Sequence, residues 1–363
     1  MSKARDYGRR AGFVGAALGL VAAGAAAGLS TERYAVGRMR LRPDARAREP
    51  FGTLRGHPRS VVADDGVTLH VEEVGAPDAP LTLIFCHGFG LELASWHYQW
   101  RDLSGRDSPG RLVFWDHRGH GRSGPSTPDH STIEWLGKDL RRVIEVTAPD
   151  GPVVVIGHSM GGMTVMALAD QHPELFGTKI LGAALLATSS GKVAESFLQI
   201  PAALSGPFRR IAPHAASTLS RRATLLEHGR RAGSDMSFLF TRRVAFGSDV
   251  GPALVEFVDR MLAATPIEVM ADFLPTFVDH DKLEALRALT GVDTLVAVGD
   301  RDRLTPPDHS RAIMEQLPDA EFVVVPATGH MVMLERPSLI NLHLRTLCHR
   351  VLRAIDAPVL STA

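Results

Sequence analysis

The chain has 363 residues, 45% of them hydrophobic, and its 40 Lys and Arg residues balance 40 Asp and Glu residues. That is enough for one large α/β domain with an insertion, and it leaves no net charge to recruit nucleic acid. Cys86 and Cys348 lie far apart with no metal-ligand spacing, so they indicate neither a metal centre nor a redox compartment.

The chain opens on a basic stretch, MSKARDYGRR, and runs into AGFVGAALGLVAAGAAAGLS (residues 11–30), which carries no charge. A helix of about twenty such residues can cross a bilayer, although an Ala/Gly-rich segment inserts weakly beside one of Leu, Ile and Phe. Three readings stand: a membrane anchor, a removed export signal with small residues at its cleavage site, or a terminal helix packed on a cytoplasmic protein. The arginine-rich segment Arg33–Arg48 reads as a contact for anionic headgroups or as a solvated linker ending at Pro50. Residues 1–57 are therefore set apart from the folded body.

From about Ser60 the pattern alternates between strands and helices. SVVADDGVTLHVEEVG reads as two strands around an Asp-Gly turn. The short apolar runs LTLIFCHG, RLVFWDHRG, VVVIGHS, ILGAALLATSS, TLVAVGD and EFVVVPATGH have the character of parallel strands buried on both faces. Helical stretches lie between and after them, at Thr132–Val146, Met160–His172, from Pro306 and at Pro337–Ile355. This order predicts a mainly parallel sheet with helices on both faces, split into residues 58–190 and 290–363. Residues 191–289 carry no strand signal and predict a helical insertion whose apolar residues, among them Phe197, Leu198, Phe238, Phe240, Met261, Phe273 and Phe277, need a surface to cover.

The chemistry begins at Ser159. Gly157-His158-Ser159-Met160-Gly161 fits G-x-S-x-G, with the strand before it and the helix after it that a nucleophile-bearing turn requires. A serine hydroxyl needs a base, and the base needs an orienting acid, in the chain order Ser…Asp…His. Asp300 and Asp302 follow the next-to-last strand, and His330 follows the last. Asp302 is placed as the orienting acid because its spacing from Gly299 carries it into the loop, whereas Asp300 suits loop capping. Strand C-termini are where such sheets place their ligands. The backbone N–H groups of Met160 and of Phe89, in the loop turned by Gly88, are candidate donors to a developing oxyanion.

HGFG, DHRGHGRSG, GHSMGG, GDRDRLTPP and GHMVMLERP occur in an order that resembles the α/β-hydrolases with a helical cap, over about Arg59–Leu352. The resemblance implies an eight-stranded sheet, Ser159 as nucleophile, Asp302 and His330 as its partners, residues 191–289 as the cap, and a structural role for Asp116, Arg118 and His120. His87 and His158 read as buried scaffold groups. Trp96 and Trp100 read as pocket wall or, more simply, core. Serine at the turn implies acyl transfer with no metal or organic cofactor, and first the hydrolysis of a small hydrophobic or lipid-like carboxylic ester. The alternatives are carbon–carbon hydrolysis, with Arg209, Arg210, Arg242 or Arg243 as carboxylate partners, and cofactor-free perhydrolase or haloperoxidase chemistry. A non-catalytic binding protein is a further alternative. Oligomeric state is not indicated.

Overall fold

The computed structural model describes residues 36–105, 107–191 and 234–356. The predicted hairpin is β1 (His57–Val62) and β2 (Thr68–Val74), antiparallel, closed by a hydrogen bond from the Ala63 N–H to Val67 O. The apolar runs form β3 (Thr82–Cys86), β4 (Arg111–Trp115), β5 (Val153–His158), β6 (Ile180–Leu186), β7 (Asp293–Gly299) and β8 (Glu321–Val325). All eight strands make one sheet in the order β1-β2-β4-β3-β5-β6-β7-β8, with β3 to β8 parallel.

The runs are apolar throughout because both faces are covered. Leu83 and Phe85 enter one buried cluster while Ile84 and Cys86 enter another, and β5 divides Val154 and Ile156 from Val153 and Val155 in the same way. On the first face lie α1 (His97–Leu103) and the closing helix α9 (Pro337–Asp356), whose Ile340, Leu344, Leu347 and Val351 recur at helical spacing. On the other lie α2 (Ile133–Thr147), α3 (Met160–Gln171) and α7 (Pro307–Gln316). A short helix, α8 (Val332–Glu335), precedes α9. Trp96 and Trp100 belong to the core, where Trp100 stacks on Phe114 with ring centroids 4.6 Å apart.

Between β6 and β7 the described residues contain no strand, as expected, but three helices: α4 (Ser234–Ala245), α5 (Pro252–Ala264) and α6 (Ile267–Asp279). Phe238 and Met261 join the first core cluster, and Phe273 and Phe277 pack on Ile133, Met160 and Met163 at the starts of α2 and α3. Phe197, Leu198, Arg209 and Arg210 lie outside the described residues.

The segment before β1 differs from its expectation. Arg40 pairs with Asp235 (3.0 Å) and Glu256 (3.2 Å), and Arg42 pairs with Asp249 (2.6 Å). Asp44 accepts the Ala253 N–H in the first turn of α5 at 2.9 Å, and Phe51 stacks on Phe257 with centroids 4.7 Å apart. Arg40 and Arg42 therefore find acidic partners more than 190 positions downstream, which a local reading of arginine content does not see. Each exposed pair is worth only about 0–1 kcal/mol, so the buried Val36 and the stacked Phe51 fasten this strap as much as its charges do. The apolar stretch 11–30 lies outside the described residues. Among the described residues no single helix is long and apolar enough to cross a membrane.

Candidate active site

Ser159 sits between β5 and α3 at φ +53° and ψ −118°, a strained conformation for a residue with a side chain. The turn is tight on both sides. A Cβ at Gly157 would lie 2.4 Å from the Gly161 carbonyl oxygen, and one at Gly161 would lie 2.0 Å from that of Cys86. The backbone is held from β6 as well: Ser159 N–H donates to Leu186 O (3.0 Å), and the Thr188 hydroxyl donates to Ser159 O (2.7 Å). Strain at one residue persists because its neighbours over-determine it.

Asp302 and His330 come together in the loops after β7 and β8. His330 Nδ1 meets Asp302 Oδ2 at 2.9 Å, with both side chains nearly inaccessible to solvent. Asp302 Oδ1 also accepts the N–H groups of Leu304 (2.9 Å) and Thr305 (3.0 Å), and Oδ2 accepts the Thr305 hydroxyl (2.9 Å). A carboxylate so supplied with donors cannot rotate away from the imidazole. Asp300 is exposed at the strand end, and its carboxylate accepts the Thr328 N–H at 3.2 Å, a loop cap. Thr305 was not among the sequence candidates. Its signal was a hydroxyl three residues after Asp302, the spacing of a side-chain-closed turn.

The loop bearing Phe89 is fixed from behind by neutral histidines. His120 Nε2 accepts the Gly90 N–H (3.2 Å) while its Nδ1 donates to Arg118 O (3.0 Å). His87 donates to Gly88 O (2.8 Å) and accepts the His117 N–H (2.9 Å). Burial holds these rings neutral, with His117 brought down to about 3 and His120 to about 4. Asp116 Oδ1 accepts the Leu93 N–H (2.7 Å), and Arg118 bridges Asp65 and Asp139. Asp116, Arg118 and His120 are thus each committed to hydrogen bonds within the fold. His158 is also scaffold: its Nε2 donates to the His330 carbonyl (3.0 Å), and burial lowers its pKa to about 3. Among the described residues no acceptor meets the N–H of Phe89 or of Met160.

Ser159, His330 and Phe89 line one cavity of about 170 Å³. Its wall is otherwise almost wholly apolar: Leu91, Met163 and Met331 from the core, and Phe240, Val244, Val258, Leu262, Met270 and Phe277 from α4, α5 and α6. Thr241, Thr305 and His158 add the remaining polar side chains, and no charged residue lines it among the described residues. No cluster of three or more His, Cys, Asp or Glu suited to a metal ion occurs among them either.

A strand-turn-helix serine at the C-terminal edge of an eight-stranded sheet, beside a histidine–aspartate pair from the last two strand ends, defines a class. The chain belongs to the α/β-hydrolase fold family, whose model matches residues 82–337. It is similar to the proline iminopeptidase PfmaB of Pestalotiopsis fici, 24% identical over 290 residues that cover 78% of this chain and 96% of that protein. It is also similar to the monoacylglycerol lipase of Mycolicibacterium smegmatis, 25% identical over 73% of this chain and 87% of that one. Among solved structures, a thermophilic esterase from Thermogutta terrifontis superimposes with a TM-score of 0.61 at 23% identity, covering 81% of this chain and 98% of that one. The protein is thus a hydrolase of this fold.

Proposed function

We propose that the protein is a serine hydrolase that cleaves a carboxylic ester with an apolar acyl group through an acyl-enzyme on Ser159. The observation that carries this reading is the cavity, in which a strained serine and an Asp-paired histidine share a wall with apolar side chains and, among the described residues, no charge. His330, held with its proton on Nδ1 by Asp302, takes the Ser159 proton on Nε2 as Oγ attacks the ester carbonyl. The oxyanion receives the N–H groups of Phe89 and Met160, and each such donor is worth about 10²–10³ in rate. Collapse expels the alcohol with the proton returned by His330; water, activated by the same ring, then releases the acid.

The uncharged wall bears on the alternatives. Carbon–carbon hydrolysis of a dienoate asks for a cation in the cavity; of the candidate arginines among the described residues, Arg242 is paired with Asp249 and Arg243 does not line it. Cleavage at a peptide amino-terminus asks for an anion, and the described lining offers none. A perhydrolase or haloperoxidase would use the same three residues, so the substrate panel must include peroxide. A fluorophosphonate probe should label the wild type and not Ser159→Ala, and wild-type activity should rise from acetyl to longer acyl esters. Absence of labelling at neutral pH refutes an activated serine, and activity confined to acetyl or charged esters refutes the apolar acyl group.

A further inference from the structure

The outward stripe of α4 consists of Met236, Phe240 and Arg243, spaced four and three residues apart and exposed along one face. Met236 is 57% and Phe240 65% exposed, and Leu41, on the strap, is 86% exposed. Leu41 follows Arg40, whose ion pair with Asp235 sets the strap beside the turn of α4 that carries Met236. Two methionine- and phenylalanine-sized groups with a cation at the end of the helix make an amphipathic face of the kind that lies at a lipid boundary. Phe240 also lines the cavity that holds Ser159, so this apolar surface continues into the site.

The chain itself says what this face meets. The uncharged stretch 11–30 is joined to Val36, buried in the same cluster as Phe238, by residues 31–35 alone. Six residue steps span at most about 20 Å, so a bilayer holding residues 11–30 comes within that distance of Val36, where the strap begins. Arg33 and Tyr34, which follow the stretch after Thr31 and Glu32, are residue types that settle at the headgroup level. Residues 11–30 could fold back on the stripe, but they contain no acid for Arg243, whereas lipid phosphate supplies one.

We infer that the face formed by Leu41, Met236, Phe240 and Arg243 rests on a bilayer, and that the hydrolase cavity draws its ester from that bilayer past Phe240. The substrate half of this inference rests on the esterase reading; the docking half does not. Cys86 and Cys348 are buried, so a single introduced cysteine takes an environment-sensitive dye selectively. With the full chain in vesicles of phosphatidylcholine and phosphatidylglycerol, dye on Met236→Cys should shift to the blue and be quenched by spin-labelled acyl chains. Dye on Leu342→Cys, 58% exposed on α9, should do neither. A water-like spectrum at position 236, or a shielded dye that the lipid label fails to quench, overturns the docking. The latter result would assign the stripe to a covering protein segment rather than to lipid.

The second arm reads turnover. Leu41→Asp/Met236→Asp should hydrolyse a water-soluble butyrate ester within about twofold of wild type. On the same acyl group carried by a vesicle-embedded ester it should lose about tenfold or more, the effect expected from removing two buried apolar side chains. Equal loss on both esters, or none on either, overturns the supply route. Failure of the wild type on the soluble ester overturns the esterase reading and leaves the dye experiment standing.

Discussion

Glu335 Oε2 accepts the N–H of Gly329, the residue before His330, at 2.9 Å, and that of Gly247, just after α4, at 3.1 Å, while Oε1 takes the Ser248 N–H at 2.6 Å. One buried carboxylate thus ties the histidine loop to the helix whose Phe240, Thr241 and Val244 wall the cavity. Met331 N–H to Ala245 O, at 3.0 Å, reinforces the same seam.

Glu335→Gln should therefore act through position. The amide keeps one acceptor and turns an NH₂ toward backbone donors, leaving buried N–H groups unpaired at about 1–3 kcal/mol each. The thermal midpoint should fall, kcat/KM should drop about tenfold or more, and preference among acyl lengths should flatten. The ratio of kcat/KM for two acyl lengths decides the matter: a role in folding alone lowers the midpoint and leaves that ratio unchanged.

Asp302→Asn and Asp300→Asn separate the two candidate acids. Asparagine at 302 would favour the wrong imidazole tautomer, and kcat should fall by about 10⁴. Asparagine at 300 disturbs a single loop hydrogen bond, and kcat should stay within about tenfold. Thr305→Val removes a hydroxyl that meets both Asp302 Oδ2 and His330 Nδ1, and should lower kcat by about tenfold without changing KM. Steady-state kinetics on one soluble ester reads all three, and a larger loss at 300 than at 302 reverses the assignment.

What could be read from residues alone is what local rules decide. The β5–Ser159–α3 turn is written within eleven residues, and the alternation of apolar runs gives the parallel sheet. Pairings across the chain could not be read this way. Arg40 and Asp235 lie 195 positions apart, and Glu335 reaches Gly247 across 88, with nothing in the intervening sequence to link them. Thr305 was closer to legible, since its hydroxyl lies three residues from the acid it serves. The partners of Arg40 and Arg42 were not legible because arginine content is the same whether the partners are lipid phosphates or carboxylates.

Gly161→Ala tests the turn. Its Cβ would have to lie 2.0 Å from the Cys86 carbonyl oxygen, so β3 and α3 must separate or the turn must open. Both the folded yield and fluorophosphonate labelling should collapse. Gly151→Ala, at a surface position whose φ of +74° gives strain but no collision, should cost about 1 kcal/mol and leave labelling intact. Equal tolerance at both positions would mean that the close approach of α3 to β3 is not required.

Acid should unfold the protein through its buried rings. Histidines protonate near pH 6.5 in an unfolded chain. Burial holds His117 and His158 down to about 3 and His120 to about 4, and holds His87 well below its usual value with help from its neighbours. The unfolded state then binds more protons than the folded one below pH 6.5, so the stability these rings contribute is complete above that pH and is lost as pH falls toward the folded values. Asp116 and Asp139 oppose this, because burial raises them to about 7 and about 6 and the folded state holds their protons first. Four rings outweigh two carboxylates, and the urea midpoint should decline from pH 6.5 to 4.5. His120→Asn should be less stable at pH 7, having lost the acceptor for the Gly90 N–H. Its decline with acid should nevertheless be shallower by about one proton, or about 1.4 kcal/mol per pH unit. Parallel curves for the two proteins would show that His120 is protonated in the folded state, where its Nε2 could not accept the Gly90 N–H.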